Sequence, residues 1–377
     1  MADSNDWRSS VTASERYDNI QKIQKTSPDK NAFTIETTAY QNSTTKEEYL
    51  SAITIASSSS PPPPSQASPP FSPPSPSSPG IKIGTHLSCH YLTSGLTSSV
   101  YFTKTTTQTL ALKVISHPPP LPHSPHREAR ILSSLTHPNI IPLLETFTDP
   151  FVLVFPYLPY TLSSLLPLTQ SLLLPILTQL FSALNYIHSL SIIHRDIKPS
   201  SILISPDHHL YLSDFGISYH PTFSPTSEPP TQKYLDVGTG PYRAPETLFG
   251  NTSYSTEIDI WAAGCTLYET LTGGKELFTC PPTNEDGSQL GLILSIFKTL
   301  GTPTEEIWPE AKKFKTKPFE MYRVFEGKEN WWEEGMEDQK WGELVKGCVR
   351  YESGKRLKAG EVLKILEGWK KEEEKGR

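Results

Sequence analysis

The chain has no run of about 18 consecutive apolar residues, the length an α-helix needs to cross a bilayer, and its start, M-A-D-S-N-D-W-R, lacks the basic-then-apolar pattern of a secretory leader. Neither sign of charge dominates: 34 Lys and Arg stand against 40 Asp and Glu, a net charge of −6. That balance argues against a nucleic-acid or membrane-surface protein, which would need a strong basic field. Cysteine is scarce. Cys89, Cys265, Cys280 and Cys348 lie far apart without metal-ligand spacing, which argues against a disulfide framework or a cysteine-based zinc site and predicts reduced thiols in the nucleus and/or cytoplasm.

Proline is abundant instead: 36 in 377 residues, too many to be spread evenly through a packed fold. Ser57–Pro79 concentrates ten Ser and ten Pro in 23 positions. Such a composition buries too little apolar surface to offset the entropy of ordering. Residues 1–80 are therefore expected to be a disordered arm with polyproline II character. Its Ser-Pro pairs at Ser60, Ser68, Ser72, Ser75 and Ser78 are candidates for phosphorylation or docking against the plainer reading of an inert linker.

From Ile81 the pattern changes. Val100–Phe102, Leu110–Ile115, Ile141–Phe147 and Phe151–Phe155 are β-rich runs separated by polar or proline-containing turns. After Thr169 the period becomes helical: Leu173, Ile176, Leu177, Leu180, Phe181, Leu184 and Ile187 recur at spacings of three and four. Further helices are predicted at about Thr256–Leu271, Ser288–Leu300, Trp341–Val349 and Gly360–Trp369. The acidic, aromatic run Glu326–Glu343 reads as a loop anchored by Trp331, Trp332 and Trp341, with a docking surface as the sharper alternative.

The chain is organised around Ile192–Gly216, which reads I-I-H-R-D-I-K-P-S-S-I-L-I-S, a turn, then L-Y-L-S-D-F-G. Ile202–Ile204 and Leu210–Leu212 form the arms of a β-hairpin preceded by His194–Lys198 and followed by Asp214. One hairpin can thus hold two carboxylates towards one site. A lone H-R-D or D-F-G recurs by chance, but the joint spacing does not. Here the chain resembles the protein kinases, with their H-R-D-[LI]-K-P-x-N catalytic loop and D-F-G motif. The resemblance covers about residues 84–370 and implies an α+β, bilobal kinase fold: a small β-rich lobe at about 84–158 and a large helical lobe at about 159–370, preceded by the disordered arm.

The resemblance implies ATP and Mg²⁺ as cofactors and a protein as substrate. Asp196 matches the base that takes the acceptor hydroxyl's proton, Lys198 the phosphate-binding cation in its serine/threonine form, and Asp214 the Mg²⁺ ligand. Ser201 stands where the second metal ligand, asparagine, is usual. The glycine-loop pattern after Leu92 falls on Thr93, Gly95, Ser98 and Val100, so only the middle glycine is present and the backbone approaches phosphate less closely. Ala111-Leu112-Lys113 resembles V-A-I-K; Lys113 would reach the α- and β-phosphates and pair with Glu128, on a helix capped by Ser124 and begun by Pro125. Phe155 would be the gatekeeper, the backbone of Pro156 and Leu158 would meet adenine, and Leu203 would floor the pocket.

Asp214–Glu246 resembles the activation segment, closing in A-P-E. Glu246 is expected to pair with Arg356, Asp259 to brace the catalytic loop, and Thr239 to bond Asp196 and Lys198. G-T-G-P-Y-R-A-P-E-T-L-F-G and L-G-T-P-T-E-E-I-W-P resemble the cyclin-dependent kinase branch. The poor glycine loop and the missing P-S-T-A-I-R-E-type helix look most like the fungal monomeric CDK-activating kinases, which implies a chain that phosphorylates cyclin-dependent kinases without a cyclin of its own. Tyr234 takes the place of the activating threonine, so the negative charge facing Arg195 would come from Asp236 or Glu228. Two alternatives stand: a proline-directed kinase of the same branch, suggested by Arg243 but opposed by Gly240-Pro241, and a pseudokinase scaffold, suggested by Ser201 together with the poor glycine loop.

Overall fold

The computed structural model describes residues 39–40, 43, 45–58, 80–95, 98–115, 119–280, 285–320, 324–336 and 338–375. The chain divides into two units, Met1–Ser68 and Pro69–Arg377. In the first, Lys46–Ser58 forms a 13-residue helix, α1, where a disordered arm was expected. The Ser/Pro run masks the local signal: Thr45 Oγ1 accepts from the Glu48 amide at 3.2 Å, and Glu47 and Glu48 sit in the first turn, where carboxylates meet the positive end of the helix dipole. Residues 59–79, with the Ser-Pro pairs, lie outside the described residues.

The second unit begins with six strands: β1 (Ile81–Ile83), β2 (His86–Ser94), β3 (Ser98–Lys104), β4 (Thr109–Ile115), β5 (Glu145–Thr148) and β6 (Phe151–Pro156), in the order β1-β2-β3-β4-β6-β5. All neighbouring pairs are antiparallel. Register decides what the sheet presents. Val100 lies opposite Lys113, and Ala111 opposite Phe155; because side chains alternate, Val100, Ala111, Lys113 and Phe155 share one face. The other face carries Cys89, Leu110, Leu112, Val152 and Val154, which form their own small core. Between β4 and β5 runs α2 (Pro125–Ser134), whose Ser124 side chain accepts from the Arg127 amide and whose Pro125 takes the first turn. Its Ile131 and Leu132 pack into the large core.

The strand predicted at Ile141–Phe147 starts only at Glu145. Pro142 cannot donate to a ladder, and the Ile141 amide is bonded instead to the Leu212 carbonyl at 3.0 Å. After β7 (Tyr160–Thr161) the chain is mainly helical: α3 (Leu162–Leu165), α4 (Gln170–Ser189), then, past β8 (Ile202–Ile204) and β9 (Leu210–Leu212), α5 (Pro245–Leu248), α6 (Glu257–Leu271), α7 (Glu285–Leu300), α8 (Gln339–Cys348) and α9 (Ala359–Lys375). α6 is buried from Ile258 to Thr270; it packs on α8 and α4, and α4 packs on α9. Gly264 permits the α6–α8 approach, since a Cβ there would lie 2.7 Å from the Cys348 Cβ. Trp331 and Trp341 are buried in the same core, so the acidic run is anchored by its tryptophans. No helix among the described residues is long and apolar enough to cross a membrane.

All four cysteines are free. Burial pushes the Cys89 and Cys265 thiols up and that of Cys348 to about 12. Because the thiolate is the reactive form, a thiol reagent at pH 8 should titrate no more than Cys280 in the native protein and all four after unfolding. Two or more rapidly reacting native thiols would contradict this burial.

Candidate functional site

The site lies where the hairpin β8–β9 faces the Lys113 side of the sheet. α4 ends at Ser189, and Ser191, at φ +58°, turns the chain into the loop. Asp259, wholly buried on α6, holds that loop from below: its carboxylate accepts from the backbone amides of His194 and Arg195, both at 2.8 Å, and from His188 Nε2 at 2.9 Å. This is the brace expected from sequence. His194 in turn donates from Nε2 to the Ser213 carbonyl at 2.9 Å and meets Phe215 edge-on at 4.7 Å, fastening the catalytic loop to D-F-G.

Beyond Ser191, Arg195 at φ +75° and Asp214 at φ +65° also adopt left-handed backbone. Such conformations disfavour residues bearing a Cβ and persist only where surroundings over-determine them. One adjoins Asp196 and the other carries the second carboxylate. Backbone strain is therefore present beside each of the two acids.

Asp196 forms a closed triangle. Lys198 Nζ donates to Asp196 Oδ2 at 2.7 Å and to Thr239 Oγ1 at 2.6 Å, while Thr239 Oγ1 donates to Asp196 Oδ1 at 2.6 Å. The Asp196 carboxylate keeps 13% of its surface open to solvent, and Thr239 belongs to the segment ahead of A-P-E. Both bonds predicted for Thr239 are formed.

Lys113 forms the second cluster. Its Nζ donates to both Glu128 oxygens at 2.9 Å and to Asp214 Oδ1 at 3.3 Å. Burial alone would lower the lysine, but Glu128 and Asp214 raise it above its ordinary value. The same attraction from Lys113, working against burial, holds the Asp214 carboxyl down at about 2. Half of the Asp214 side chain, 51%, is exposed, so solvent screens part of that field; the carboxylate is nonetheless ionised throughout the neutral range. The Gly216 carbonyl accepts from the Ser124 amide at 2.9 Å, a link between D-F-G and the start of α2 that the sequence did not signal.

The remaining candidates are placed by strand pairing. Thr93 lies opposite Val100, the Gly95 amide bonds the Ser98 carbonyl at 2.8 Å, and residues 96–97 at the loop tip lie outside the described residues. Leu92 is half-buried on β2. Leu203 lies opposite Tyr211 and Thr161, while Pro156 and Leu158 follow Phe155 out of β6. Ser201 is only 2% exposed. Its hydroxyl accepts from the Lys198 amide at 3.1 Å and donates to the Lys198 carbonyl at 2.9 Å, and so closes the turn at Pro199–Ser201.

The activation segment is fixed at both ends. Arg356 grips Glu246 with two parallel bonds of 2.6 and 2.7 Å, both side chains being buried, as expected. Of the two acids proposed to face Arg195, the structure selects Glu228: its Oε1 accepts from Arg195 Nη2 at 2.5 Å and from the Tyr234 amide at 3.1 Å. Asp236 is 90% exposed and lies 3.5 Å from Arg243 instead. Sequence reasoning missed Arg127, whose Nη1 reaches Glu228 Oε2 at 3.6 Å; its position beside Glu128 in H-R-E was the available signal.

Among the described residues no three His, Cys, Asp or Glu side chains gather into a metal cluster. An exposed, ionised Asp214 fits Mg²⁺, which is commonly held by one or two carboxylates together with substrate phosphates.

Residues 89–366 match the family model for the protein kinase domain. A chain in the crystal structure of the yeast RNA Pol II CTD kinase CTDK-1 complex is similar, with 27% identity and a TM-score of 0.63 over 75% of this chain and 93% of that one. With the family model spanning well over half of the sequence, and the fold and both carboxylates arranged as described, the chain belongs to the protein kinase domain family.

Proposed function

We propose that this chain is an ATP-dependent serine/threonine protein kinase whose substrates are cyclin-dependent kinases, phosphorylated on the activation-loop threonine. The observation that carries the catalytic part is the simultaneous closure of two clusters, Lys113–Glu128–Asp214 and Asp196–Lys198–Thr239. Phosphoryl transfer needs little covalent participation from the protein; it needs positioning and charge neutralisation. Asp196 accepts the proton of the acceptor hydroxyl as the oxygen–phosphorus bond forms and the bond from phosphorus to the β–γ bridging oxygen of ATP breaks, releasing ADP. Lys198 faces the transferred group, and Lys113, held by Glu128, faces the α- and β-phosphates. Asp214 would hold Mg²⁺, which would supply the further positive charge. Val100, Ala111 and Phe155 on one sheet face, with Leu203 below and the backbone of Pro156 and Leu158, bound the adenine site.

The chain acts without a cyclin. Supporting this, α2 reads P-H-R-E-A-R-I-L-S-S, without the P-S-T-A-I-R-E-type sequence by which cyclin-dependent kinases meet cyclin. The substrate assignment rests on the resemblance of residues 236–250 together with the poor glycine loop and the missing P-S-T-A-I-R-E-type helix.

Incubation with Mg-ATP and a cyclin-dependent kinase, alone and cyclin-bound, should give one phosphate on the activation-loop threonine, mapped by mass spectrometry. A peptide panel should show no gain from proline after the acceptor. Strong selection for proline would move the assignment to a proline-directed kinase; nucleotide binding without transfer to any substrate would move it to a scaffold.

A further inference from the structure

Glu228 is a carboxylate in the middle of the activation segment whose side chain has no solvent-exposed surface. A buried charge is tolerated only when it is paired, and its partners come from three different elements. Arg195 adjoins the base Asp196; Arg127 adjoins Glu128 on α2; the Tyr234 amide belongs to the segment itself. Lys233 completes the setting: its Nζ donates to the carbonyls of Pro230 and Tyr254, and both it and Arg195 lie over the rings of Tyr219 and Tyr254 at 5.1–5.6 Å. Three cations thus surround one anion. Burial together with repulsion from Arg195 holds Arg127 and Lys233 below their ordinary values.

The segment also carries hydroxyls on Thr222, Ser224, Thr226, Ser227 and Thr231, but Thr226 and Ser227, which directly precede Glu228, face solvent. The position between the arginines is filled by the carboxylate. Its consequence is mechanical: α2 cannot swing outward with Glu128 without also separating Arg127 from Glu228.

We propose that Glu228 is a built-in substitute for an activating phosphate, a positioning residue that draws α2, the catalytic loop and the activation segment together so that the site assembles without modification of the segment. The proposal rests on the reading of this site as a kinase active site. Arg127 Nε and Arg195 Nε are buried and lack hydrogen-bond acceptors. Truncating Glu228 would therefore leave a cavity lined by two arginines with free N–H donors, and with Lys233 nearby, a receptor for a small oxyanion.

The test uses the full chain treated with phosphatase and shown by intact mass to carry no phosphate. The unmodified wild type should keep its kcat. Glu228→Gln, close in shape but neutral, should lose roughly 100-fold in kcat with little change in the KM for ATP. Glu228→Ala should regain part of its activity in sodium acetate, and its melting temperature should rise with acetate or inorganic phosphate, shifts absent from wild type and from Asp236→Asn. If the alanine variant does not fold, Glu228→Gln and the dephosphorylated wild type decide. An unchanged kcat in Glu228→Gln, or loss of wild-type activity on dephosphorylation, overturns the proposal. Failure of the kinase reading itself would look different: no transfer by any form of the protein, with the anion-dependent melting of Glu228→Ala still measurable.

Discussion

Asp196→Asn should slow phosphoryl transfer by roughly 10²–10⁴-fold, the usual contribution of a positioned general base, while leaving the fold and ATP binding in place. Asparagine keeps the shape of the side chain and one carbonyl acceptor for Thr239 or Lys198, which now bond the carboxylate at 2.6 and 2.7 Å. It cannot take a proton. The ion pair with Lys198 is lost, but Lys198 is partly exposed, so the stability cost stays near 1 kcal/mol or below. Asp214 and the Lys113–Glu128 pair are untouched, so nucleotide affinity should persist. Single-turnover transfer and nucleotide titration separate the two effects. A variant within tenfold of wild type would remove Asp196 from the chemistry; one that no longer binds nucleotide would show that its role is structural.

The second large effect concerns stability and lies far from the reacting atoms. Arg356→Ala should cost about 3–5 kcal/mol, because breaking a buried pair strands the remaining charge. Glu246 would be left in a site where it is 1% exposed. Arg356 also donates to the carbonyls of Arg350, Glu257 and Tyr351 and lies 5.0 Å from the Trp261 ring. One side chain therefore joins the end of the activation segment, the start of α6 and the turn before α9. A drop in melting temperature on the order of 10 °C is expected. Arg356→Lys should be intermediate, since lysine keeps the charge and loses the fork. If Arg356→Ala melts with wild type, Glu246 is not held by this pair.

The difference between these two sites tracks what was legible in the sequence. Local chemistry could be read directly: Ser124-Pro125 caps and starts α2, and the hairpin arms Ile202–Ile204 and Leu210–Leu212 were placed to the residue. Pairs far apart in sequence, such as Glu246–Arg356 and Asp259 with the catalytic loop, were accessible only through resemblance to the family. Long-range packing decided what remained. Glu228 and Asp236 are equally plausible acids on paper, and only the folded path of the segment buries one and exposes the other. The place of Arg127 beside Glu128 marks it as near the site but does not name its partner 101 positions on. The helix Lys46–Ser58 was hidden by the composition of its neighbours, and the early end of the strand predicted from Ile141 follows from a bond to Leu212 that no local pattern encodes.

This single chain, unmodified, is expected to transfer phosphate. The most direct measurement is transfer from Mg-ATP by the purified, phosphatase-treated protein to a cyclin-dependent kinase, with no partner subunit added and Asp214→Asn as the blank. Incorporation well above that blank is the predicted result and would show that Asp196, Lys198, Lys113 and Asp214 suffice with serine at position 201. Incorporation equal to the blank across this and generic protein substrates, in a protein that still binds ATP, would contradict it.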